Sequence, residues 1–108
     1  MSRVTNAILT ASVGKTPDDE IEAVNRFLRE RDGGDYGQFV DVTSHAGGAK
    51  HMECRVYLSA FNHADTDTIL EAIHHAPWRD REGVQVFIRE QEEDVFRLRY
   101  SGGSIVQF

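Results

Sequence analysis

Apolar residues recur along the chain with two periods, near two and near 3.6, and the changes between them mark its elements. Residues 4 to 11 (VTNAILTA) are short, rich in β-branched types and followed by Gly14, the signature of a first strand. Thr16-Pro17-Asp18-Asp19-Glu20 then supplies an N-cap hydroxyl, a proline at the first helical position and acids suited to the positive end of a helix dipole. Ile21, Val24, Phe27 and Leu28 follow as one apolar stripe, and Gly33-Gly34 stops the helix. Tyr36 to Thr43 (YGQFVDVT) predicts a second strand, and Ser44 to Lys50 (SHAGGAK) a glycine-bearing loop. In the third strand, Met52 to Phe61, the alternation is read with Met52, Cys54, Val56, Leu58 and Ala60 toward the core and Glu53, Arg55, Tyr57, Ser59 and Phe61 away from it. Asp65 caps a second helix carrying Ile69, Leu70, Ala72, Ile73 and Ala76, which Pro77 ends. Val84 to Arg89 and Val95 to Tyr100 form a hairpin across the acidic turn Glu90 to Asp94. Gly102-Gly103 breaks it and leaves Ser104 to Phe108 as a tail or short edge strand.

The order is β-α-β-β-α-β with one further C-terminal strand, which is the split βαβ or ferredoxin-like pattern of the α+β class. One stripe per helix and alternating strands fit two helices on one face of an antiparallel sheet. That architecture hosts many unrelated functions, so function must be argued from a site.

The 108 residues suffice for one domain spanning 1–108, and 40% hydrophobic with 28% charged residues is an ordinary globular balance. A formal net charge of −6 argues against nucleic-acid binding through a globally positive surface, and against anionic membranes. Lys15 and Lys50 are the only lysines among twelve basic residues, so ten are arginine, a bias that a GC-rich genome produces through codon usage. A lone cysteine, Cys54, allows no intrachain disulfide. With no apolar run long enough for a membrane span and no leader-like start, the expected location is the cytoplasm.

The main functional expectation is a partner- or ligand-binding surface on the sheet face opposite the helices. Strand phase assigns to it Arg55, Tyr57 and Phe61, with Phe39, Phe87, Arg89, Arg97 and Arg99, an aromatic-arginine mixture of the kind interfaces enrich. Homodimerisation or binding of another protein follows from that face, with intrachain cover by Ile105, Val106 and Phe108 as the bland alternative. Single-stranded nucleic acid would use the same residue types, but Asp41, Glu53 and the acidic turn would repel phosphates. The loop residues His45, Lys50 and His51 are candidates for gripping a small anion. His45, His51, Cys54 and His63 are metal-ligand types without a metal-ligand spacing, and a small buried thiol is the commoner role for Cys54, so no metal and no cofactor is expected. His74-His75 complements the negative end of the second helix, and Trp78 plugs that end.

No nucleophile elbow, P-loop or dinucleotide fingerprint occurs. The expectation is a small non-enzymatic binding protein. One form it could take is a phage or mobile-element accessory protein that inhibits a host protein, Glu90, Glu92, Glu93 and Asp94 offering carboxylates where phosphates would sit. The alternative is a dimeric ferredoxin-like enzyme or sensor of a small molecule.

Overall fold

A computed structural model describes residues 4–12, 18–32, 37–62 and 64–107. They form a small α+β domain of two helices and a six-stranded antiparallel sheet. In chain order the elements are β1 (Val4–Ser12), α1 (Asp18–Asp32), β2 (Val40–Asp41), β3 (Cys54–Asn62), α2 (Thr66–His75), β4 (Gln85–Arg89), β5 (Arg97–Ser101) and β6 (Ser104–Ile105). The strands lie in the order β2-β3-β1-β4-β5-β6, each antiparallel to its neighbours. No described helix is long and apolar enough to cross a membrane.

The core is built from strand residues of one phase and the apolar stripes of both helices. Ala7, Leu9 and Ala11 of β1, Tyr57 and Phe61 of β3, Val86 and Ile88 of β4 and Tyr100 of β5 form one buried cluster with Ile21, Val24 and Leu28 of α1 and Ile69, Leu70 and Ile73 of α2. The alternate residues of β1, β3 and β4 take no part in it, so the sheet has one face toward the helices and one away from them.

Helix α2 follows the sequence closely because its ends are locally encoded. The Asp65 carboxylate accepts from the Asp67 N–H at 3.2 Å as N-cap. At the other end the Trp78 indole donates to the Ile73 carbonyl at 2.7 Å, and Arg81 donates to the carbonyls of His74 at 2.7 Å and Ala76 at 2.8 Å. Side chains beyond Pro77 thus add to the backbone bonds from Ala76 to Ile73 and from Trp78 to Ala76 in satisfying the last carbonyls of the helix. The capping signal at Thr16-Pro17 and the Gly33-Gly34 stop of α1 lie outside the described residues.

Three expectations are corrected. The second strand, expected over 36–43, is reduced to Val40–Asp41. Just before it, the buried Asn25 side chain takes both backbone groups of Phe39, accepting from its N–H at 2.8 Å and donating to its carbonyl at 3.1 Å. Gly37, at φ 128°, bends the chain ahead of that contact, and Tyr36 lies outside the described residues.

The second correction is the phase of β3, which is the reverse of that expected. Tyr57 and Phe61, with Phe39, are core residues at most 3% exposed, whereas Leu58 faces away from the helices. Phe39 and Phe61 meet edge to face with centroids 5.3 Å apart. Both phases of β3 carry apolar side chains, and placing two aromatic rings in the core removes more apolar area from water than placing Leu58 and Val56 there.

The third concerns the hairpin. Strand β5 starts at Arg97, leaving Val95 and Phe96 exposed in the connection. A bulge sets Leu98 opposite Phe87 and Tyr100 opposite Val86, although Leu98 and Tyr100 are two residues apart. Leu98 therefore shares the outer face with Phe87 while Tyr100 enters the core. The same shift separates Arg97 and Arg99 from the phase expected of them: Arg97 lies opposite Ile88, and Arg99 falls at the bulge.

The short edge strand expected after Gly102-Gly103 is present as β6, which turns back to pair Ser104 with Ser101 and Ile105 with Tyr100, while Phe108 lies outside the described residues. Both glycines have positive φ, 62° and 87°, as a two-residue hairpin turn requires. Ile105 is exposed at the sheet edge and does not lie over the outer face.

Candidate functional site

The strand registers assemble a continuous apolar row across the outer face. Val40 lies opposite Leu58, Leu58 opposite Ile8, Ile8 opposite Phe87 and Phe87 opposite Leu98, so five strands each contribute one side chain. Thr10, Val56 and Gln85 flank the row on one side, and Asn6, Ala60 and Arg89 on the other. Val40 is 53% exposed and Leu58 41%, large values for aliphatic side chains on a sheet. Phe96 lines a groove of about 580 Å³ together with Asn6, Ile8, Val40, Leu58 and Ala60.

Of the residues expected on this face, Phe87 and Arg89 are there, half-buried. Tyr57, Phe61 and Phe39 are not, and their burial removes them from any contact with a partner. Arg97 is exposed, in the phase of its core partner Ile88, and donates from Nε to Glu93 Oε2 at 2.7 Å, while Arg99 is half-buried at the bulge. Ile8, Leu58, Val40, Leu98 and Phe96 were missed because each depends on strand phase, register or the bulge. The available signal was β1, where Ala7, Leu9 and Ala11 set an apolar phase against Asn6 and Thr10 and leave Ile8 as the exception.

The acidic turn is partly committed to this chain's own structure. Glu90 Oε1 accepts from the Thr66 hydroxyl at 2.9 Å, and Glu93 Oε1 accepts from the Glu90 N–H at 3.1 Å. That backbone bond, followed by Arg97, holds the Glu93 carboxyl below the usual carboxylate range.

A second cluster sits where β2 and β3 meet the connecting loop. Arg55 NH1 reaches Asp41 Oδ2 at 3.1 Å, and Asp41 Oδ1 accepts from the Thr43 N–H at 2.9 Å. The Thr43 hydroxyl accepts from the Val56 N–H at 2.8 Å, which locks this corner to β3. Hydrogen bonds from Thr43, and then the Arg55 charge, hold the Asp41 carboxyl below its ordinary range despite some desolvation. Asp41, Thr43, Ser44, His51, Met52 and Arg55 line a pocket of about 420 Å³. His45 and Lys50 are exposed and do not line it.

Cys54 is a half-buried free thiol opposite Ser12, in the outer phase of β3 and outside the core where it was expected. His63 lies outside the described residues, among which no group of three His, Cys, Asp or Glu converges on a metal position. His75 stacks on Phe27 at 5.8 Å, and His74 Nδ1 lies 3.3 Å from the hydroxyl of the buried Tyr100, to which Arg81 also donates at 3.1 Å. Comparison with protein-family models, curated proteins and solved structures finds no match to this chain.

Proposed function

We propose that the protein is a non-enzymatic binding module whose outer sheet face joins a second copy of the chain, face to face. The observation that carries this reading is the row Val40, Leu58, Ile8, Phe87 and Leu98. An antiparallel sheet with one packed face normally presents polar side chains on the other, and here the centre of that other face is apolar. The five strands hold 9, 9, 5, 5 and 2 residues, which at about 3.4 Å per residue and about 4.8 Å spacing cover roughly 500 Å². Two such faces together bury about 1,000 Å², the size at which specific interfaces begin. The groove on this face is lined by the exposed ring of Phe96 together with Val40 and Leu58, and a two-fold contact would bury these apolar groups against their own copies.

The strand order also supports a ferredoxin-like split βαβ reading of the architecture. Strand β1 lies between β3 and β4 with β2 beyond β3, and the later strands β5 and β6 extend the β4 side.

Light scattering after size exclusion tests the proposal. The expected result is a dimer for the wild type and a monomer for Leu58→Asp, whose exposed position lets the fold accept the change. A wild type that stays monomeric at about 1 mM, above the Kd expected even of a small interface, overturns it. The groove favours one second reading, a sensor of an apolar small molecule, since its volume lies within the roughly 300–1,000 Å³ usual for ligand pockets. A compound that perturbs the amides of Ile8 and Leu58 in a wild type that stays monomeric would replace the first reading by the second.

A further inference from the structure

We infer that the pocket between β2, β3 and the Ser44 side of their connection binds a small organic monoanion through its carboxylate, with Arg55 as the anchor. The inference is independent of the outer face, since Arg55 belongs to the opposite phase of β3 from Leu58.

The lining defines the ligand by what it already uses. Both Asp41 oxygens are engaged, Oδ1 by the Thr43 N–H and Oδ2 by Arg55, so the pocket's carboxylate acts on Arg55 first. A guanidinium carries five N–H donors in a rigid fork, and the Asp41 bond uses one of them while holding the fork in place. Arg55 is 22% exposed, so its charge is partly desolvated and aimed without the full mobility of a surface arginine. Ser44 and His51 line the same pocket and add a hydroxyl and an imidazole as hydrogen-bonding groups. The Arg55 fork thus keeps charged N–H donors that make no hydrogen bond to the described residues, and the ligand complementary to them is an acceptor.

Charge selects among acceptors. Arg55 and Asp41 together are neutral, and the nearby basic residue Lys50 lies outside the lining. A carboxylate brings one negative charge, whereas a phosphate monoester brings about 1.5 to 2 and would meet Asp41 at close range. A planar carboxylate also matches the guanidinium fork in a two-bond contact. At about 420 Å³ the space exceeds a bare inorganic ion and accommodates a short carbon chain against Met52.

The test is a titration of the isotope-labelled full chain with sodium propionate, followed through backbone amides, with sodium chloride at equal ionic strength and sodium phosphate as the other arms. Saturable shifts at Ser44, His51 and Arg55 with propionate, absent with chloride, are expected. Arg55→Lys, which keeps the charge and loses the fork, should weaken binding at least tenfold, and His51→Phe about threefold. Shifts identical to those from chloride, unchanged affinity in Arg55→Lys, or tighter binding of phosphate than of propionate each overturn the inference. If Arg55→Lys disturbs the fold, Ser44→Ala and His51→Phe at exposed positions carry the test, and wild-type affinity in both overturns it.

Discussion

Asn25 shows how much one polar side chain decides. Its amide pairs with both backbone groups of Phe39, doing the work of a strand neighbour from a helix. Asn25→Leu leaves a buried N–H and a buried carbonyl unpaired and should cost about 2–4 kcal/mol, read as a lower urea midpoint with an unchanged slope. Asp41 makes a smaller and pH-dependent contribution. Its folded carboxyl is held below the ordinary value of 3.8, so its stabilisation is complete above that value and is lost as pH falls through the lower folded one. Asp41→Asn should destabilise by at most about 1 kcal/mol at pH 7, because the pair is partly exposed, and the gap to wild type in thermal melts should close below about pH 3.8.

At the scale of elements, β3 is where local pattern and tertiary outcome part. Phe61→Ala removes a fully buried ring and should cost about 3–5 kcal/mol, whereas Leu58→Ala on the outer face should cost under about 1 kcal/mol in a monomer. Denaturant unfolding of the two variants, done at low protein concentration, reads the difference, and equal costs would contradict the strand phase. Helix α2 was legible from Asp65 to Pro77 because a cap and a proline act within a turn of themselves. Strand β2 was overestimated because the contact that displaces its start comes from Asn25, fourteen residues earlier. The bulge opposite Val86 and Phe87 carries no local signature in Arg97-Leu98-Arg99, yet it sends Leu98 outward and Tyr100 inward.

For the whole molecule, net charge and the outer face act against each other in self-association. Two copies at −6 repel, and the proposed contact is apolar at its centre. Raising sodium chloride from about 0.05 to 0.5 M shortens the screening length severalfold and should therefore tighten the dimer in sedimentation equilibrium. Weakening with salt would instead indicate a contact made by ion pairs. Of the expected aromatic-arginine face, Phe87 and Arg89 keep their places, while Arg55 proves to belong with Asp41 and His51 at the end of the sheet.

Periodicity, caps and turn residues were enough to establish the number, type and order of the main elements, since each depends on residues a few positions apart. Which way β3 faces, where β2 begins and how β5 shifts at its bulge were decided only by packing. Alternation has a period of two in either phase, and only the competition of Tyr57 and Phe61 against Leu58 and Val56 for the space beneath α1 and α2 selects one of them.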